Sequence, residues 1–146
     1  MILKDKEAAM MQKKIQFLVR QGDIVLVNFG RAGKGSRSLC GKRPVYVMNR
    51  QSSDRKSGAF MAIPLFRTVS RDGIGGEVEI TPTDCHGLRY SEYVQPMNIQ
   101  KIRKERIVKR IGHVREGVHE RILAAMLHIL RSLYQFYRLR LPVCYL

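Results

Sequence analysis

The residues best suited to chemistry gather in GRAGKGSRSLCGKR, Gly30 to Arg43, where four glycines interrupt five basic side chains. Glycine lets a backbone approach a ligand closely, and Lys34, Arg37, Lys42 and Arg43 are phosphate-directed donors. A Walker loop needs GK followed by Ser or Thr at a helix start; here Lys42 is followed by Arg43, Pro44 and a strand-like run. An ordinary basic hairpin tip would share this composition. Of the histidines, His119 and His128 lie on a helical stretch but about 180° apart around it, too far round to share a ligand. His113 falls in the turn before that stretch, and His86, beside a loop glycine, is the remaining candidate general base. Asp72, Glu77, Glu79 and Asp84 are spread over turns or one alternating strand, a poor match to a two-metal nuclease. Cys40, Cys85 and Cys144 have neither CxxC nor His-ligand spacing and read as reduced thiols. The pattern therefore calls for no cofactor and no metal. If such a protein cuts a phosphodiester, the substrate must supply the nucleophile, as RNA does with its 2′-hydroxyl.

Charge points the same way. Lys and Arg number 27 against 12 Asp and Glu, a formal net charge of +15. So much self-repulsion favours a polyanionic partner, nucleic acid above all, although a solvated surface bias would give the same count. At 146 residues the chain suits one domain, residues 1–146. The opening mixes charges among its apolar residues and no run nears the roughly 20 apolar residues of a membrane span. A soluble, cytoplasmic protein is expected.

The elements that must position these residues follow from periodicity. Ala8, Met11, Ile15 and Leu18 recur at helical steps, predicting an amphipathic helix over 4–20 that stops at Gln21-Gly22. DIVLVNF (Asp23 to Phe29), PVYVMN (Pro44 to Asn49) and AFMAIPLF (Ala59 to Phe66) read as strands. The last is apolar on both faces, and its Pro64 suggests an edge or a bulge. EVEI and SEYVQPMNIQKI supply two more short strands. From Glu116, Val118, Ile122, Met126, Ile129 and Leu133 predict the best helix in the chain, ending near Arg140 before Pro142. Its aromatic tail, 131–146, is expected to pack back on the first helix or across a dimer interface. This is an α+β pattern with a small, strongly bent antiparallel sheet or barrel between two helices.

Several of these segments, taken in order, resemble one family. QGDIVLVNF, a glycine- and serine-containing loop, and GKRPVYVMN are similar to the opening GD strand, loop and RP strand of PemK/MazF toxins. AIPLF resembles the family's third strand, HGLRYSEYVQPMNIQKI its Gln-bearing strand, and RIVKRIGHVREGVHERILAAMLHIL its closing segment and C-terminal helix. The resemblance covers a core of about 22–130. It implies an SH3-like antiparallel barrel with N- and C-terminal helices, a homodimer, and the toxin of a type II toxin–antitoxin pair. It also implies metal-independent endoribonuclease cleavage of single-stranded RNA and an acidic antitoxin protein as partner. Arg43 of the RP motif matches the family's catalytic arginine, suited to stabilising a pentacovalent phosphate. Phe66 stands where many relatives carry Thr or Ser, leaving Thr68 and Ser70 as the nearest catalytic hydroxyls, and Arg37 and Val94 stand where some relatives carry acids. Lys34, Arg37, Lys42, Arg67 and Gln95 are the implied RNA-binding residues. A non-catalytic relative that binds RNA or protein through the same fold is the alternative.

Overall fold

The computed structural model describes residues 2–31, 39–49, 58–69 and 76–138, with the backbone alone for 12–18 and 136–138. Among them are two helices, α1 (Ile2–Leu18) and α2 (Val118–Arg138), and seven strands between. The strands are β1 (Asp23–Asn28), β2 (Lys42–Val47), β3 (Ala59–Phe66), β4 (Val78–Ile80), β5 (Glu92–Val94), β6 (Gln100–Arg103) and β7 (Ile107–His113). They form one antiparallel sheet in the order β4-β5-β3-β2-β1-β7, with β6 also paired to β3.

The central strands are apolar throughout because both of their faces are covered. Successive side chains in a strand point to opposite faces, so Ile24, Tyr46, Ile63 and Leu65 join one core with Ile80, Val94, Val118 and Ile122. Val25, Val27, Val45 and Val47 join a second with Phe60, Ala62, Ile102 and Ile107. Strand β3 serves two partners along one edge, β6 through Ala59–Ala62 and β5 through Leu65–Phe66. That exchange curls the sheet into a half-barrel. Pro64 explains where it happens: β3 is central, not an edge, and Pro64 pairs with Val45 on β2. Lacking an N–H, proline sits where β3 passes from one partner to the other and no ladder bond on that side is lost.

The closing strand β7 is absent from the periodicity because its pairing with β1 is irregular twice, between Ile24 and Val25 and between Leu26 and Val27. His113 therefore ends a strand, opposite Asp23, and does not lie in a turn. The fully buried Asp23 carboxylate holds this seam, accepting from Arg110 at 2.8 Å, His113 Nδ1 at 2.8 Å and the Arg20 N–H at 3.0 Å. Gly22 before it has φ of 88°, and a Cβ there would meet His113 Cε1 at 2.9 Å.

Asp84 pins the loop after β4 to the start of α2, accepting from the Thr81 N–H at 3.0 Å, Arg115 Nε at 2.7 Å and Arg121 at 3.1 Å. Within this loop a Cβ on Gly87 would fall 1.9 Å from the Ile111 carbonyl oxygen, so only glycine fits against β7. Helix α2 buries Val118 and Ile122, and its His119 Nδ1 lies 2.7 Å from the hydroxyl of the buried Tyr46. Leu123, Leu127, Leu130, Leu133 and Tyr134 remain exposed. The aromatic tail is thus not packed back as far as Tyr134, and 139–146 lie outside the described residues.

Helix α1 starts two residues earlier than expected and lies against β7. Its expected apolar stripe is not buried at Ala8 and Met11, while the side chains of Ile15 and Leu18 lie outside the described ones. Among the described residues, no helix is long and apolar enough to cross a membrane.

Candidate active site

Strand register places Arg43. Val45 pairs with Pro64, so two residues back Arg43 faces Phe66, and Phe66 in turn pairs with Tyr93. The three side chains form a row on one face of β2, β3 and β5. The Arg43 guanidinium lies 5.4 Å from the Phe66 ring centroid, a cation–π contact. Its Nε is buried and donates no hydrogen bond. Leaving a buried donor unmatched costs about 1–3 kcal/mol, and such sites call for an explanation.

Beside this row is a pocket of about 190 Å³ lined by Phe66, Thr68, Glu77, Tyr93 and Gln95. One residue beyond the paired Val78 and Val94, Glu77 and Gln95 face each other on the same side as Phe66. Glu77 carries a second unmatched atom, a buried Oε1 that accepts no hydrogen bond. The pocket is therefore walled by two aromatic rings, with the Glu77 carboxylate in its lining and the Arg43 guanidinium packed on Phe66.

The opposite face of the same strands carries a different cluster. Glu92 is buried, 3.7 Å from Arg67 Nε, and the Arg67 guanidinium stacks 4.0 Å above the Tyr90 ring. Burial pushes the Glu92 carboxyl above its usual range, against the pull of Arg67 and Arg43. Elsewhere burial, helped by Glu120, raises the Tyr46 phenol well above its ordinary value, and burial lowers His119.

Of the residues singled out from sequence, Thr68 and Gln95 line one pocket, and Arg43 packs on Phe66, which lines it too. Arg67 is committed to Glu92 and Tyr90 behind it. Lys42 is exposed at the start of β2, opposite Asn28. Lys34, Arg37 and Ser70 lie outside the described residues. His86 is exposed in the Asp84 loop, away from the pocket lining. Phe66, Tyr93 and Glu77 were missed as site residues, because only the pairing of β3, β4 and β5 brings them together. The signal available was parity: Glu77 and Glu79 alternate along β4 as Tyr93 and Gln95 do along β5.

A curled antiparallel half-barrel, with a helix at each end and a small pocket carrying a hydroxyl, an amide and a carboxylate at one end of its sheet, defines the class. A family model described as the PemK-like, MazF-like toxin of type II toxin–antitoxin systems matches residues 20–130, and the chain belongs to that family. No curated protein sequence matches it. Among solved structures, it is similar to a mycobacterial endoribonuclease in complex with its cognate antitoxin, at 19% identity and TM-score 0.58 over 77% of this chain and 92% of that one. MazF from Deinococcus radiodurans matches at 19% identity and TM-score 0.58, over 77% of this chain and 96% of that one. The Mycobacterium tuberculosis toxin MazF-mt6 matches at 18% identity and TM-score 0.58, over 75% and 96%. At these identities the likeness is one of fold.

Proposed function

We propose that this chain is the toxin of a type II pair and acts as a metal-independent endoribonuclease on single-stranded RNA. The observation that carries the reading is the buried Arg43 Nε without a partner, held over Phe66 beside a pocket that Thr68 and Gln95 line. A phosphate bound there would give Arg43 the acceptor it lacks. The gain would grow as the phosphorus becomes pentacovalent and charge builds on its oxygens, which is how a fixed donor lowers a barrier. The Thr68 hydroxyl, with Ser70 nearby in sequence, would hold a non-bridging oxygen, and the Gln95 amide would read the base or ribose. Lys34, Arg37 and Lys42 would follow the RNA backbone, and Arg67 would steer it through its net positive surroundings.

The same basic surface suits an acidic antitoxin segment, which would compete with RNA and fold as it binds. Pairing two chains of +15 doubles the field, so a homodimer fits this reading, and light scattering checks it.

Long single-stranded RNA incubated with the purified protein in EDTA tests the function. The expected products carry a 2′,3′-cyclic phosphate and a 5′-hydroxyl, and a single 2′-deoxy substitution at the cut site abolishes cleavage. Intact RNA that is nevertheless bound would favour a non-catalytic binder of the same fold.

A further inference from the structure

Cleavage through a 2′-hydroxyl needs a group to take its proton, and Arg43 cannot, since a guanidinium stays protonated. Asp23, Asp84 and Glu92, the buried acids among the described residues, each face a cation. Glu77 differs: it lines the pocket, and its buried Oε1 accepts no hydrogen bond. Register explains why that oxygen stays unmatched. Glu77 faces Gln95 across the β4–β5 ladder, while Arg43 stands two strands further on, with Phe66 and Tyr93 between as an aromatic floor. Glu77 lines the pocket and Arg43 packs on Phe66, which lines it too, so a ribose seated in the pocket would bring its phosphate towards the guanidinium.

We propose that Glu77 is the general base of the reaction, a role that rests on the endoribonuclease function proposed above. The Glu77 carboxylate takes the 2′-hydroxyl proton as the 2′-oxygen forms its bond to phosphorus. The bond from phosphorus to the 5′-oxygen breaks with its electron pair, leaving a 2′,3′-cyclic phosphate. The departing 5′-oxygen takes a proton from water, and the hydroxide so formed recovers the proton from Glu77. The balance closes with no further reactant. Thr68 holds a non-bridging oxygen and Gln95 orients the ribose over the Phe66 and Tyr93 rings.

The test is Glu77→Gln, nearly isosteric and unable to accept the proton as a carboxylate does. Single-turnover cleavage and affinity for an RNA carrying a 2′-deoxy residue at the cut site are measured on the same preparations. The expected result is a rate about 100-fold lower or more, with affinity within about twofold of wild type, and partial recovery of Glu77→Ala when formate is added. A Glu77→Gln variant as fast as an active wild type would overturn the role and leave the proposed function standing. Loss of RNA affinity together with cleavage would assign Glu77 to binding or folding and overturn it as well. A wild type that leaves RNA intact would instead overturn the function, and the role with it.

Discussion

Two kinds of buried charge coexist in this small domain. Asp23 and Asp84 are saturated: backbone N–H groups, arginines and, for Asp23, a histidine meet their oxygens at 2.7–3.1 Å. Arg43 and Glu77 each keep a buried atom with no partner at all. The saturated acids join elements distant in sequence, β1 to β7 and the Asp84 loop to α2, and their worth lies in holding the fold. An unmatched atom contributes nothing to folding and costs about 1–3 kcal/mol. The contrast therefore separates charge that builds the molecule from charge that the proposed function assigns to a ligand, and mutations at the two kinds of site should fail in different ways.

The largest expected effect is on activity. Arg43→Ala should slow RNA cleavage by about a hundredfold or more, the usual cost of removing one preorganised donor. Its melting temperature should move little, since a cation–π contact of about 0.5–1 kcal/mol and the pull on Glu92 are lost while an unmatched buried donor is removed. Cleavage kinetics beside a thermal melt check both, and undiminished activity would erase the distinction. Thr68→Ala should fall less sharply in the same assay.

Asp84→Asn should show the opposite pattern. Breaking a buried ion pair costs about 3–5 kcal/mol, but Arg115 and Arg121 are 63% and 49% exposed, which trims the loss to roughly 2 kcal/mol. The midpoint should drop by roughly 5 °C or more, while cleavage well below it continues at the wild-type rate. Acid sharpens this prediction. Burial alone would raise the Asp84 carboxyl, but the Thr81 N–H, Arg115 and Arg121 outweigh it and hold the group far below the usual carboxylate range. Because the folded value is depressed, the stabilisation is complete above the ordinary value near pH 4 and drains away as pH falls through the folded value. The gap between wild type and Asp84→Asn should narrow steadily in urea melts taken below about pH 4.

Tyr46→Phe removes one neutral buried hydrogen bond, to His119 Nδ1, and should cost about 1 kcal/mol with no effect on cleavage. The smallest effect should carry the other sign. Burial raises the Glu92 carboxyl first, and Arg67 and Arg43 only partly offset it; the ionised form therefore weighs against folding as pH rises through the folded value. Its ion pair with a 64% exposed Arg67 is worth little. Glu92→Gln should thus melt slightly higher than wild type at neutral pH, by about 1–2 °C. The increment should vanish below about pH 4, where the carboxyl is protonated in both states.

Much of the scaffold was legible because composition and period agree. Strand β3 has the bounds the sequence predicts, since its apolar residues meet a core on each face, and α2 follows its stripe from Val118 to Ile122. Strand β7 was not, for two breaks of register and the adjacent Lys109 and Arg110 hide its alternation. In the site, Arg43 was marked by its RP motif, but Glu77 and Tyr93 were not. Parity assigns each to a face, but only the β4–β5 register makes the two neighbours of Thr68. The Asp23 seam was hidden for the same reason: its histidine comes from 90 residues away.

RNA is expected to enter the pocket beside which charge was left unmatched. Backbone amide shifts of the labelled protein, titrated with an RNA blocked by a 2′-deoxy residue at the cut site, test this directly. The perturbations should centre on Arg43, Phe66, Thr68, Glu77, Tyr93 and Gln95 and leave Asp84, Arg115 and Arg121 unmoved. Shifts centred on α2 or the Asp84 loop, with the pocket silent, would contradict it.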